Sequence, residues 1–88
     1  MRIELVGVPG CPNLDATRRE LRIALRELRL DHPIVEYLGP YPSPAVVVDG
    51  LDVSTGLPLR VGACCRLRAP TRVQIITALA ARKIQPPA

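Results

Sequence analysis

The chain opens on an apolar run. Ile3 to Val8, interrupted in polarity only by Glu4, reads as a strand covered on both faces, and Pro9-Gly10 stops it. From about Pro12 to Leu30 the period changes. Leu14, Leu21, Leu25 and Leu28, with Thr17 and Ala24, recur at three- and four-residue spacing and predict an amphipathic helix with one buried stripe. Asp31-His32-Pro33 ends it, because the residue before a proline avoids helical geometry. Ile34 to Leu38 reads as a second strand, and Gly39 to Pro44 is too rich in proline for a helix. Ala45 to Val48 is a third strand, and Asp49-Gly50 is a hairpin turn from which Leu51 to Val53 starts back. Ser54 to Val61 is a loop and Ala63 to Leu67 a short strand. Thr71-Arg72-Val73-Gln74 has capping-box spacing and opens a second helix that should bury Val73, Ile76, Leu79 and Ala80 and end before Pro86.

A helix of that length between the first two strands implies a right-handed crossover and a parallel pair. The Asp-Gly turn then adds antiparallel neighbours. The expectation is one α/β domain over residues 1–88, a mixed four-stranded sheet flanked by two helices, with no internal repeat.

Composition narrows the picture. There is no Phe or Trp, so the core must be built from Val, Ile, Leu and Ala. The net charge is +4, and eleven of the twelve basic residues are arginine. Arg18, Arg19, Arg22, Arg26 and Arg29 share the first helix with Glu20 and Glu27, the pattern of a solvated face; the rival use is an acidic or protein partner. Nucleic acid is not the expected partner, since stacking aromatics are nearly absent and no base-reading motif occurs. Nor is a membrane: no apolar run approaches the roughly 20 residues of a span, and a strand right after Met1 leaves no room for a signal peptide. A cytoplasmic protein is expected, where three cysteines point to reactive or metal-binding thiols rather than structural disulfides.

Cys11 carries the sharpest chemistry. Proline is favoured at the first helical position, which puts Cys11 at or next to the helix N-cap. Unpaired N–H groups and the positive end of the helix dipole favour a thiolate there, so the thiol should be acidic and reactive. The plain alternative is a small buried hydrophobe. Thiol–disulfide exchange needs a second thiol, which Cys64 or Cys65 could supply. Neighbours on a strand point to opposite faces, so one of the two should aim at Cys11 and the other be buried. A Cys11 disulfide to this segment would close a loop of about 50 residues, worth roughly 4 kcal/mol in the chain-entropy model. Asp15, one turn beyond Cys11, either serves as an acid facing the same pocket or merely stabilises the helix start. His32 stands alone in a turn, and the cysteine spacing matches no structural zinc site.

Two stretches resemble thioredoxin-fold proteins. The strand leading into Val8-Pro9-Gly10-Cys11-Pro12-Asn13 is similar to the place where that family carries Cys-x-x-Cys, although the second cysteine is Leu14 here. Ser43-Pro44-Ala45-Val46-Val47-Val48-Asp49-Gly50 resembles the family's cis-proline, strand and hairpin, with the usual preceding helix missing and a proline-rich link in its stead. The likeness implies a thioredoxin-like sandwich in which Pro12, Ser43 and Pro44 meet the substrate. Ala63-Cys64-Cys65-Arg66 with Ala69-Pro70-Thr71 is similar to the paired-cysteine segment of organomercurial (alkylmercury) lyases, and Cys65-Arg66-Leu67 to small proteins of mercury resistance. That implies Cys11 and Cys65, or Cys64, as thiols holding a thiophilic metal such as mercury, with Asp15 as the acid. The lyases place their acid three residues after the cysteine, whereas Asp15 lies four after Cys11.

The expectation is therefore a thiol protein acting through Cys11, in disulfide redox or thiophilic-metal chemistry. Its substrate would be a thiol, a disulfide or an organomercurial, its partner a redox protein, and it would need no cofactor. The rival is a non-catalytic module of the same fold that binds through its arginine-rich helix.

Overall fold

In the computed structural model, which describes residues 1–83, β1 (Ile3–Gly7) is the strand on which the others are laid. α1 (Leu14–Glu27) returns the chain to β2 (Ile34–Leu38), which pairs parallel with β1 in the register Ile3 to Ile34. A two-residue strand, β3 (Pro42–Ser43), leads through a cis Ser43–Pro44 bond, an isomer the residues alone leave open, into β4 (Ala45–Val48). β4 lies antiparallel on the other side of β1, and β5 (Leu51–Asp52) folds back against β4. The sheet order is β2-β1-β4-β5, the expected mixed four-stranded sheet. β6 (Cys64–Cys65) joins β3 in a separate parallel ribbon, and α2 (Arg72–Lys83) follows.

The core explains this order. Ile3 and Leu5 of β1 and Val46 and Val48 of β4 face Leu21, Ala24 and Leu25 of α1 and Ile75 and Leu79 of α2, all buried. Both helices thus lie on one face of the sheet. Alternation sends Val6, Ala45 and Val47 to the other face, where the half-buried Tyr41 and Leu59, from connecting segments, pack against them. The stripe expected for α1 is the one observed. Val73, by contrast, was expected inside and is 73% exposed, while Ile75 takes the core position. α2 is apolar on several sides, so its own periodicity does not choose a face; docking on α1 does. The expected end of this helix near Pro86 falls outside the described residues.

Both ends of α1 also differ from expectation, for local reasons. The helix begins at Leu14 because two turns precede it. It ends at Glu27 rather than Leu30 because Arg29 adopts a left-handed φ of 54°. Leu30 N–H then donates to Leu25 O at 2.9 Å and Arg29 N–H to Arg26 O at 3.1 Å, the Schellman pattern. That ending normally announces itself with glycine, and here arginine fills the position. At α2 the capping box forms as expected: Gln74 N–H donates to Thr71 Oγ1 at 3.1 Å, and Thr71 N–H donates to Gln74 Oε1 at 2.9 Å. Among the described residues no helix is long and apolar enough to cross a membrane.

Asp49 and Gly50 both have positive φ, 49° and 85°, as a two-residue hairpin of the primed type requires. The Asp49 carboxylate also ties three elements together. It accepts from the Arg2 N–H at 2.7 Å and from Arg82 Nε of α2 at 2.6 Å. The Arg2 bond is the largest reason why its pKa lies below the ordinary carboxylate value; burial opposes the shift and Arg82 adds to it. A depressed folded-state pKa contributes stability that is complete above the unfolded value and is lost as pH falls through the folded one. Asn tolerates the same turn, so Asp49→Asn should fold. Urea unfolding at about pH 7 and about pH 2.5 should show the wild-type chain losing on the order of 1 kcal/mol more than Asp49→Asn across that interval.

Candidate active site

Two turns in series set the position of Cys11. Cys11 N–H donates to Val8 O at 3.2 Å, closing a turn with Pro9 and Gly10 at its centre. Gly10 has φ 78°, which a proline-glycine turn of this type demands and a side chain would resist. Leu14 N–H then donates to Cys11 O at 3.4 Å around Pro12 and Asn13. Asn13 is the N-cap, so Cys11 stands two residues ahead of the cap rather than at or next to it. The helix dipole therefore acts on the sulfur from beyond the first turn, where its effect fades. What the helix start still supplies is the nearby Asn13 N–H, which helps lower the Cys11 pKa.

The second sulfur arrives on β6. Its pairing with β3 aligns Pro42 with Cys64 and Ser43 with Cys65. The ribbon is extended at one end by Gly62 N–H to Pro40 O at 2.7 Å and at the other by Arg66 N–H to Ser43 O at 2.5 Å. Cys65 is thereby laid beside Ser43, and its Sγ lies 2.7 Å from Cys11 Sγ across 54 residues of chain. All three cysteines are free thiols, Cys11 half-buried and the other two exposed. Alternation does turn Cys64 away from the pair. It was expected to be buried and is exposed instead, because β6 lies outside the main sheet with no layer behind it.

The two facing thiols are electrostatically unequal. Burial acts to raise the Cys11 pKa, but the hydrogen-bonded Cys65 thiol, and after it the nearby Ser43 hydroxyl and Asn13 N–H, outweigh it and bring the thiol below its ordinary value. The Cys65 thiol is pushed up, first by its hydrogen bond to Cys11, then by desolvation and by the charges of Cys11 and Cys64. Of the two, Cys11 is the more acidic thiol and Cys65 the less acidic one. The Ser43 hydroxyl is buried and makes no hydrogen bond of conventional geometry, so it acts on Cys11 as a nearby dipole rather than through a formed bond.

The remaining candidates are distributed as follows. Pro12 is exposed next to Cys11, and Pro44 is fully buried behind Ser43. Asp15 is 83% exposed in the first turn of α1, paired with Arg18 at 2.5 Å, and Arg18 also holds Glu36 of β2 at 2.8 Å. Among the described residues no hydrogen bond joins Asp15 to either sulfur, and no group of three or more Cys, His, Asp or Glu gathers as a metal site. An open depression of about 640 Å³ bordered by Arg22, Arg26, Arg29 and His32 lies over α1, with no cysteine in its lining.

One contact at the site was not foreseen. Asp52, 1% exposed, receives the guanidinium of Arg66, the residue next to Cys65. The available signal was an acidic residue at an inward-facing position after the hairpin, with an arginine adjoining the paired cysteines.

Because a neighbouring thiol is the largest contribution lowering the Cys11 pKa, removing it should be visible in reactivity. The rate of Cys11 alkylation against pH should show a midpoint below the roughly 8.5 of a free cysteine, and Cys65→Ala should move that midpoint upward.

No family model, curated protein or solved structure matches this chain significantly, so the site stands on its own geometry.

Proposed function

We propose that the protein is a thioredoxin-like thiol–disulfide oxidoreductase in which Cys11 attacks and Cys65 resolves. The observation that carries this reading is the approach of the two sulfurs to 2.7 Å at an exposed site, from segments 54 residues apart. The arrangement β1, turn, Cys11, helix, with the Ser43-Pro44 bend leading into β4 beside it, supports the thioredoxin-like part. Here the resolving thiol would come from a strand at the other end of the chain, since Leu14 occupies the place of a second motif cysteine.

The chemistry follows from the inequality of the thiols. The Cys11 thiolate attacks one sulfur of a substrate disulfide, forming a mixed disulfide and releasing the other sulfur as a thiolate. Cys65, its proton lost to solvent, then attacks Cys11 Sγ, releasing the substrate's second thiolate and leaving a Cys11–Cys65 disulfide. An external thiol reductant restores the pair. Val61 and Leu67, 75% and 101% exposed on either side of Cys64-Cys65, put apolar surface beside the sulfurs and favour a polypeptide substrate.

The same two sulfurs also suit a thiophilic metal, which takes two soft thiolates and displaces both protons on binding. Carbon–mercury cleavage further needs an acid at the sulfurs, and Asp15 is engaged with Arg18. Redox exchange is the reading that uses what is present.

Turnover of a disulfide-bonded protein substrate, driven by a small thiol reductant, tests this directly. Cys11→Ser should lose activity to background. Cys65→Ser should accumulate a mixed disulfide on Cys11, seen as an added substrate mass that reductant removes. Turnover retained by Cys11→Ser contradicts the proposal.

A further inference from the structure

We infer that the buried Asp52–Arg66 ion pair holds Cys65 within reach of Cys11, making both residues positioning residues for the resolving step; the inference rests on the two-thiol reading above. From Val61 to Arg68 the chain is exposed at every position except Arg66. Such a strap has no apolar anchor of its own. Its ribbon with β3 pairs only two residues, and the Leu67 side chain touches nothing that would shield it.

Arg66 supplies the anchor twice. Its main-chain N–H donates to Ser43 O, and its guanidinium spans the Asp52 carboxylate, Nη2 to Oδ2 at 2.5 Å and Nη1 to Oδ1 at 3.4 Å. The receiving end is fixed. Asp52 pairs with Val47 of β4, its N–H donates to Leu57 O at 2.9 Å, and its Oδ1 accepts from Ser54 N–H at 3.0 Å. Once its arginine leaves, the buried carboxylate keeps only the Ser54 N–H among its present side-chain contacts, so lifting the strap leaves a poorly compensated charge. A two-pronged guanidinium contact also fixes direction, which a single point charge would not. The residue so fixed is the immediate neighbour of Cys65. In the reduced protein no covalent bond joins the two thiol-bearing segments, so this contact sets the effective concentration of one sulfur at the other.

The two steps of exchange separate the positioning role from the rest. Take the reduced protein in a Cys64→Ser background and add an aromatic disulfide near neutral pH. Cys11 attacks, an S–S bond of the reagent breaks, and one coloured aromatic thiolate leaves. Cys65 then loses its proton to solvent, attacks Cys11 Sγ and expels the second aromatic thiolate, closing the Cys11–Cys65 disulfide. The parent should release both, the second promptly after the first. Arg66→Ala and Asp52→Asn should release the second about tenfold or more slowly, while the first changes only as far as the Cys11 midpoint moves when Cys65 withdraws, so that first-step rates compared per Cys11 thiolate agree with the parent within about twofold. Arg66→Lys, which keeps the charge but not the fork, should fall between and carries the test if Arg66→Ala proves unfolded by circular dichroism. A folded Arg66 variant that releases the second thiolate at the parental rate overturns the inference and leaves the two-thiol reading standing. A parent that releases only one thiolate contradicts that reading as well.

Discussion

The parallel register of β3 with β6 is the constraint on which the site depends. It is only two residues long, yet it sets Cys65 beside Ser43 and delivers a sulfur from late in the chain to one near its beginning. Everything around it serves to keep that register. The Pro9-Gly10 and Pro12-Asn13 turns hold Cys11 in place, and the four-stranded sheet gives β3 and Asp52 a rigid base. A slip of one residue would exchange Cys64 for Cys65 and direct the wrong sulfur outward, because neighbours on a strand alternate.

The environment then divides the labour between two identical functional groups. The surroundings of Cys11 make its thiol more acidic, whereas Cys65, hydrogen-bonded to it, holds its proton more tightly. In the proposed exchange this one geometry is what tells the nucleophile from the resolving group. Asp52 and Arg66 join the same arrangement at one remove, since their ion pair links the exposed segment that carries Cys65 to β5 of the sheet.

Much of the fold was legible because its signals are local. The apolar run of β1, the leucine stripe of α1, the Asp49-Gly50 hairpin and the Thr71-Gln74 capping box each announce themselves within a few residues. Cys11 was legible for the same reason, as a cysteine between a turn and a helix. The failures share a cause of the opposite kind. A two-residue parallel pairing has no periodicity, so β3 was indistinguishable from a proline-rich link. α2 carries apolar residues on most of its circumference, and only contact with α1 decides that Ile75 rather than Val73 goes inside. Arg29 adopts a conformation that residue type alone assigns to glycine. The Asp52–Arg66 contact joins positions 14 apart in sequence through tertiary structure, and no spacing rule reveals it.

Peptide mapping of the mildly oxidised protein by mass spectrometry is the most direct check on the sulfur geometry. The monomer should lose two hydrogens, its Cys11 and Cys65 peptides should be found linked, and Cys64 should be recovered alkylated. A bond between Cys64 and Cys65, or one that joins two chains in preference to closing within one, would contradict it.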